Sequence, residues 1–177
     1  MNVMTDSEKI QLSFSVMEEC ETLQHICDNW IEKEEIEGYS FENDYIYKCL
    51  TSGDLPPIAN VTKEAYQLLS VYSIETNELV GFTDIYFGYP DELTAWISIL
   101  IITKEHRNKG FAQEVISLLS TRCKKEGFKK LGIGVYLNNW RALRFWTKAG
   151  FNTITGIKGE KDFNADSFAR IMLEKMI

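Results

Sequence analysis

The chain has 177 residues, enough for one domain that buries about 70% of the surface of its unfolded chain, so we expect a single domain over residues 1–177. The formal net charge of −7 argues against non-specific binding to nucleic acid, which needs several lysines and arginines facing the phosphates. A hydrophobic share of 45% with 12% aromatic residues is the composition of an ordinary soluble globular protein.

Cysteine and hydropathy patterns bear on the compartment. The four cysteines, Cys20, Cys27, Cys49 and Cys123, have no Cys-x-x-Cys spacing and no nearby pair of histidines. We interpret them as small buried side chains in a reducing compartment and expect no metal site. Residues 1–9 lack the apolar core of a signal peptide, and no apolar run approaches the roughly 20 residues of a membrane span. The sequence therefore predicts a cytoplasmic protein with neither a nucleic-acid nor a membrane partner.

The first half of the chain predicts three strands and two helices. The strands are Ile10–Phe14, Ala65–Ile74 and Leu79–Phe87. Ser15 and Glu18 have the spacing of a capping box, and an apolar stripe at helical spacing follows them. A second short helix is expected over Phe41–Leu50, with Ser40 as its N-cap residue. Both helices thus lie between the first strand and a predicted hairpin.

The second half predicts four more strands and two amphipathic helices. The strands are Trp96–Ile102, Leu131–Leu137, Thr153–Lys158 and Phe168–Met176. The first helix starts near Phe111, where apolar residues begin to recur every three or four positions. The second runs over Trp140–Ala149, with Asn139 as its N-cap and Gly150 at the position that commonly ends helices. Taken in order, these elements predict a mixed α/β sheet with helices on its faces.

A short basic loop with a single glycine, Gly110, lies between the strand Trp96–Ile102 and the helix at Phe111. A glycine lets the backbone approach a ligand, and a loop that turns a strand into a helix presents unpaired N–H groups. Together with the positive end of the helix dipole, those groups favour a phosphate. The loop lacks the hydroxyl of a P-loop and the three glycines of a dinucleotide fingerprint. A solvated basic face is the simpler alternative for its charges, Lys104, His106, Arg107 and Lys109.

Two motifs together resemble those of the GNAT superfamily, the Gcn5-related N-acetyltransferases. The loop reads Arg107-x-x-Gly110-x-Ala112, which is similar to the pyrophosphate loop of that family. The last helix reads Asn139-x-x-Ala142-x-x-Phe145-Trp146-x-x-x-Gly150-Phe151, which is similar to the second family signature. The resemblance covers about residues 79–151. It implies the acyl-CoA N-acyltransferase fold, an α/β (α+β) fold with a mixed, mostly antiparallel sheet of about six or seven strands and helices on both faces.

The resemblance also implies acetyl-coenzyme A (acetyl-CoA) as co-substrate, bound in a cleft between the strands that end at Ile102 and Leu137. Backbone groups of the first strand would pair with the pantetheine amides as an added strand does. The residues expected to hold the cofactor are Leu100, Ile101, Ile102, Arg107, Asn108, Lys109, Gly110, Phe111, Ala112, Gln113, Asn139, Ala142, Phe145 and Trp146. Either Arg144 or Lys148 would reach the adenosine phosphate, unless each is only a surface charge.

The implied reaction is direct attack of a neutral amine on the thioester. An alkyl amine with a pKa of about 10.4 is almost fully protonated at pH 7, so a carboxylate must take its proton or the pocket must lower its pKa. Asp84, on a central predicted strand, is the first candidate base, and Glu92 in the following turn is the alternative. A structural hydrogen bond is an equally good explanation for Asp84.

The leaving thiolate raises a second question about proton transfer. The family usually has a tyrosine where this chain has Trp146, and that phenol protonates the departing sulfur. An indole N–H gives up no proton near neutral pH. Either Tyr136, at the mouth of the neighbouring strand, donates the proton, or the thiolate leaves unaided.

The acceptor would contact residues 30–60, which combine many acidic residues with Trp30, Tyr39, Phe41, Tyr45 and Tyr47. An aromatic and acidic wall suits a small cationic amine, although the same residues could equally form core. The leading hypothesis is a cytoplasmic N-acetyltransferase that acts on a small-molecule amine. The alternatives are a protein or peptide N-acetyltransferase and a catalytically weak domain that senses coenzyme A. A homodimer stays open, because no stripe of residues marks an exposed interface.

Overall fold

The computed structural model describes residues 3–4, 7–162, 164 and 167–177. The strands of this part of the chain are β1 (Val3–Met4), β2 (Ile10–Phe14), β3 (Tyr66–Ser73), β4 (Leu79–Phe87), β5 (Thr94–Ile97), β6 (Leu100–Ile102), β7 (Lys130–Tyr136), β8 (Thr153–Gly159) and β9 (Ala169–Met176). The α-helices are α1 (Cys20–Asp28), α2 (Lys33–Glu37), α3 (Tyr45–Thr51), α4 (Phe111–Lys125) and α5 (Trp140–Lys148).

The described strands form one sheet in the order β1-β2-β3-β4-β5-β7-β9-β8, with β6 paired to β4. Neighbouring strands run antiparallel except β5 and β7, which are parallel. A parallel pair needs a crossover connection, and α4 lies in it. The predicted mixed, mostly antiparallel sheet is confirmed. It has more strands than the six or seven expected, because β1 adds one and the strand predicted over Trp96–Ile102 is two strands.

Helices pack on both faces of the sheet, as predicted. On one face, α4 and α5 cover a core to which β7 contributes Leu131, Ile133 and Val135 at alternate positions. On the other face, α1 and α3 cover a second core that includes Phe82 and Trp96. Among the described helices, none is long and apolar enough to cross a membrane.

The capping box predicted at Ser15 and Glu18 is wrong by one residue. The backbone N–H of Ser15 donates to the Leu68 carbonyl at 3.0 Å, so the chain is still bound to β3 at this point and cannot begin a helix. The cap forms one residue later, where the Glu19 carboxylate accepts from the Val16 N–H at 2.9 Å and caps a 3-10 turn, Met17–Glu19, that leads directly into α1. The pairing of a distant strand, which no local pattern contains, therefore sets the start of the helix.

The segment between α1 and α3 also differs from the prediction. Helix α3 begins at Tyr45 rather than Phe41, and Ser40 does not cap it, because the Ser40 hydroxyl donates to Glu34 at 3.1 Å. An additional short helix, α2, precedes it and ends at Gly38, whose φ of 82° is the left-handed conformation that glycine adopts freely. This segment forms one wall of the cleft described next.

Candidate active site

Two neighbouring strands separate in the middle of the sheet and open a cleft. Strands β5 and β7 pair in parallel up to Ile97 and Ile133. Beyond that point β6 pairs only with β4, and the rest of β7 pairs with β9, so no described strand fills the space between β6 and the end of β7. The cleft lies where the resemblance to the GNAT family implied one.

Asp84 of β4 interrupts the strand that was predicted to run from Trp96 to Ile102. Its Oδ1 accepts the backbone N–H groups of Ser98 at 2.8 Å and Ile99 at 2.9 Å. The Ile99 carbonyl in turn accepts from the hydroxyl of the neighbouring Thr83 at 2.8 Å. Because side chains of β4 satisfy these backbone groups, the two residues leave the regular ladder and β5 ends before β6 begins.

The Asp84 carboxyl lies behind this interruption rather than in the cleft. Its side chain is fully buried, and it lines neither of the two cavities described below. Burial raises its pKa from 3.8 to about 8, against the opposing effect of the two N–H donors. Its second oxygen, Oδ2, has no hydrogen-bond partner within the described part of the chain. This location fits the structural role that the sequence left open for Asp84.

Glu92, the alternative base, lies at the other end of β5. It is exposed in the turn before Thr94, the first residue of the strand. The four steps from Thr94 to Ser98 span roughly 13 Å at the rise of an extended strand. Glu92 therefore lies away from the end of the strand at which the cleft opens.

One half of the cleft is a cavity of about 390 Å³ that the loop before α4 and the helix α5 enclose. Most of the residues predicted to hold the cofactor line it, namely Leu100, Ile101, Ile102, Arg107, Ala112, Asn139, Ala142, Phe145 and Trp146. Residues Arg144 and Lys148 are not part of its lining. The two family-like motifs, which are far apart in sequence, thus meet across one cavity.

The loop before α4 has the backbone conformation of an anion-binding turn. Gly110 is the N-cap residue of α4 with a φ of 89°, and Asn108 has a φ of 62°. A helix of this length presents unpaired N–H groups at its first turn. Arg107 points back to the sheet, where its Nε donates to the Ile102 carbonyl at 3.2 Å. The Lys9 ammonium donates to the Lys109 carbonyl at 3.3 Å and adds a positive charge beside the loop.

Asn139 is the N-cap residue of helix α5, as predicted. The Asn139 amide oxygen accepts from the Ala142 N–H at 3.0 Å, which leaves the NH₂ group of the same side chain to face the cleft. Trp146 is only 9% exposed and makes edge-to-face contacts with Phe145 and Phe151 at centroid distances of 5.1 and 4.9 Å. Its indole ring lines both halves of the cleft.

The other half of the cleft is a cavity of about 650 Å³ between the interrupted strand and the segment from α2 to α3. Four of the aromatic residues predicted for the acceptor region line it, Trp30, Tyr39, Phe41 and Tyr45, whereas Tyr47 does not. The wall is not acidic, because its described anions, Glu37, Glu42 and Asp54, face an equal number of cations, Lys33, Lys48 and Arg170. The acidic composition of residues 30–60 therefore does not predict the balanced charge of the cavity lining.

Lys33 is the most unusual of these side chains. It is 3% exposed, and its ammonium lies 3.2 Å from the ring centroid of Tyr39 and 4.6 Å from that of Phe41. An ion pair of 2.8 Å joins it to Glu37. Burial lowers the pKa of the lysine, and the hydrogen bond to Glu37 opposes that effect. Nothing in the charged run around Lys33 indicated that this one residue is buried.

Besides Tyr39, two further tyrosines line the same cavity. Tyr136, the candidate acid, ends β7 and lines the cavity with residues 97–100. Tyr45 donates to the Asp54 carboxylate at 3.0 Å, and burial raises the pKa of this phenol strongly, with the charge of Asp84 as a further cause. Sequence reasoning missed Asp54, because it lies in the turn after α3 and matches no motif.

The described residues contain no group of three or more histidine, cysteine or acidic side chains placed to hold a metal ion. The arrangement instead offers backbone donors, an amide and apolar surface to an extended, anionic ligand. A polar cavity for a second ligand adjoins it, and the interrupted strand lies beside both.

Comparison with known proteins agrees with this geometry. The family described as "Acetyltransferase (GNAT) family" matches residues 25–151. A relative from Bacillus subtilis, described as "Uncharacterized N-acetyltransferase YobR", is 27% identical over 127 residues, which cover 71% of this chain and 46% of the relative. The chain thus spans about half the length of that protein.

Solved structures show the same fold at low identity. A spermidine N-acetyltransferase from Vibrio cholerae, in complex with CoA and spermine, superposes with a TM-score of 0.71 at 17% identity, over 94% of this chain and 95% of that one. An acetyltransferase from Salmonella typhimurium that modifies the N-terminal serine of ribosomal protein L7/L12 gives 0.73 at 12% identity, over 99% of both chains. The predicted fold is thus confirmed. The matched segment contains both motifs and the cleft between them, and the chain belongs to the GNAT family of acetyltransferases.

Proposed function

We propose that this chain is an acetyl-CoA-dependent N-acetyltransferase that transfers the acetyl group to a primary amine of a small molecule. The observation that carries the proposal is the separation of β5 and β7 after Ile97 and Ile133. It exposes the edge of β6 to a cleft that the two family motifs enclose from opposite sides. GNAT proteins use acetyl-CoA, and the shape and lining of this cleft suit that molecule.

The residues present fit the pantetheine arm and the pyrophosphate of the cofactor. The free edge of β6 offers backbone donors and acceptors to the pantetheine amides in the manner of an added strand. The N–H groups at the loop from Asn108 to Gln113 would hold the pyrophosphate, and the NH₂ group of Asn139 would hold the arm between them. Bound there, acetyl-CoA supplies an activated acetyl thioester to the adjoining cavity.

The interrupted strand positions the donors that meet the developing charge on the thioester oxygen. Asp84 already engages the N–H groups of Ser98 and Ile99, so the donor for that charge would come from β6. Asp84 acts here as a positioning residue, because it holds β6 away from β7. We therefore place the proton acceptor elsewhere, on the wall of the cavity.

Asp54 and Tyr136 are the groups we assign to proton transfer. Asp54 is the carboxylate of this cavity that forms no ion pair with a described residue, and it would bind the acceptor amine and take its proton, directly or through water. Tyr136 ends the strand opposite the interruption and would donate the proton to the leaving sulfur. This keeps Tyr136 in the role that the sequence suggested, since Trp146 has no proton to give.

A small acceptor fits the cavity better than an extended peptide. A Cβ added at Gly38 would lie 2.8 Å from the Phe168 ring, so the segment before β9 packs directly against the end of α2. Nearby residues of the same two segments, Tyr39 and Arg170, line the cavity, so this contact lies at its border. It supports a small molecule as acceptor over a protein chain that would have to pass through the cleft.

Thermal unfolding with acetyl-CoA, coenzyme A and ATP tests the cofactor assignment. A ligand that binds only the folded state at 100 times its dissociation constant stabilises it by about 2.7 kcal/mol, or roughly 5–10 °C for a chain of this size. We expect this shift with the first two ligands and none with ATP. Release of free thiol from acetyl-CoA in the presence of amines then measures transfer. Absence of a shift with all three ligands contradicts the proposal.

A further inference from the structure

Most charged side chains of the 650 Å³ cavity form ion pairs, and two of them form none with a described residue. Lys33 is bound to Glu37 at 2.8 Å. Lys48 forms ion pairs with Glu42 and, at 3.0 Å, with Asp44. The charges of the described lining that remain without an ion pair are one anion, Asp54, and one cation, Arg170. A ligand that satisfies both must itself carry both signs of charge.

The aromatic surface of the cavity cannot take a second ammonium group, because Lys33 already occupies it. The Lys33 ammonium lies over the rings of Tyr39 and Phe41 and within 6.0 Å of the centroid of Trp30. A cage of three rings is the usual site for an organic cation. Here the chain fills that cage with its own side chain, so an acceptor with two ammonium groups has no second partner.

Arg170 is held at the cavity without a carboxylate of its own. It lies opposite Tyr136 in the register of β9 and β7, and its guanidinium carbon is 5.4 Å from the centroid of the Tyr136 ring. It forms no ion pair with another described residue, and its side chain is exposed at the cavity. The planar guanidinium group presents paired N–H donors whose geometry matches a carboxylate.

We infer that the acceptor is an amine that also carries a carboxylate, and that Arg170 binds this carboxylate while Asp54 receives the amine. The inference rests on the proposed function and specifies its substrate class. Arg170 is adjacent to Tyr136 and Asp54 is bound to Tyr45, so the two charges belong to different walls of one cavity. Free amino acids and their short derivatives have the required pair of charges.

Matched amines that differ only in the carboxylate test the inference. The pairs phenylalanine with phenethylamine and lysine with cadaverine are assayed with acetyl-CoA by release of free thiol. We expect kcat/KM to be at least tenfold higher for the member with the carboxylate. Arg170→Met should lower kcat/KM for that member roughly 10- to 100-fold more than for the other member, because only the first loses a charge-assisted hydrogen-bond pair.

Lys158→Met is the matched control, because Lys158 pairs with Arg170 on the neighbouring strand and does not line the cavity. It should leave both members of each pair unchanged, and Arg170→Lys should restore part of the preference. Equal rates for the two members in the unaltered protein, or an equal loss for both in Arg170→Met, would overturn the inference while the proposed function stands. If no amine releases thiol and acetyl-CoA gives no thermal shift, the proposed function fails and the inference fails with it.

Discussion

Asp84→Asn separates a structural role for this buried carboxyl from a catalytic one. The substitution keeps an oxygen that can accept the N–H groups of Ser98 and Ile99 and removes only the capacity to ionise. Burial raises the pKa of Asp84 in the folded protein from 3.8 to about 8. In the unfolded chain the same carboxyl ionises near its ordinary value. The two states therefore bind different numbers of protons over the intervening pH range.

The sign of the effect follows from that difference. Between pH 4 and 8 the folded state keeps a proton that the unfolded state has lost, so the contribution of Asp84 to the free energy of unfolding falls as pH rises. The penalty is absent below about pH 4 and constant above about pH 8. From pH 5 to 8 it grows by on the order of 4 kcal/mol, at about 1.36 kcal/mol for each pH unit. Asparagine at this position carries no such penalty.

Thermal unfolding of both proteins at pH 5 and pH 8 measures this difference. Groups that do not interact with Asp84 titrate alike in the two proteins and cancel, so the Tm advantage of Asp84→Asn should be larger at pH 8 by roughly 10 °C. An advantage that is the same at both pH values refutes the reasoning that a buried, proton-retaining carboxyl holds the interrupted strand.

The activity of the same variant tests the assignment of roles. Because Asp84 lines neither cavity, kcat/KM toward a reactive amine should change only a few-fold in Asp84→Asn. Loss of a general base usually costs 10²–10⁴-fold. A loss of that size would return Asp84 to the role of base, and it would remove the proposal that Asp54 accepts the proton.

Further substitutions test the assignments of the cofactor loop and of the proton donor. Gly110→Glu should abolish the thermal shift with acetyl-CoA, because a carboxylate at the first turn of α4 repels the pyrophosphate. The control Gly127→Glu, at a similar φ of 96° beyond the other end of α4, should keep the shift. Equal shifts in both variants would remove the loop assignment. Tyr136→Phe should lower kcat by roughly 10²-fold with little change in KM, as expected for loss of a general acid, and Trp146→Tyr should leave kcat unchanged. A large gain in kcat in Trp146→Tyr would mean that the natural site lacks an acid.

Local patterns were enough to predict the elements that the cofactor requires. The cap at Asn139 and the glycine before α4 act through backbone groups within a few residues of themselves, and both form as predicted. Strand β4 likewise has the predicted bounds, Leu79–Phe87, because turn-forming residues flank it on both sides. Where the determining interaction was local, the sequence was sufficient.

The cavity of about 650 Å³ depends on contacts between residues far apart in the chain. Asp84 interrupts a strand that the sequence predicts to be continuous, because its Oδ1 accepts hydrogen bonds from the backbone N–H groups of Ser98 and Ile99. Lys33 reads as one charge in a solvated run, yet aromatic rings from the following loop and an ion pair bury it. Composition could therefore not give the charge of the cavity.

The sequence by itself determined the family and the order of most of the elements, since these follow from short-range patterns of caps, glycines and apolar periodicity. Only the tertiary structure decided which charges line the 650 Å³ cavity. Arg170 meets Tyr136 through the register of two antiparallel strands, and Asp54 meets Tyr45 across the turn that ends α3. Strand register and loop packing come from the burial of the whole core, so no segment read alone contains them.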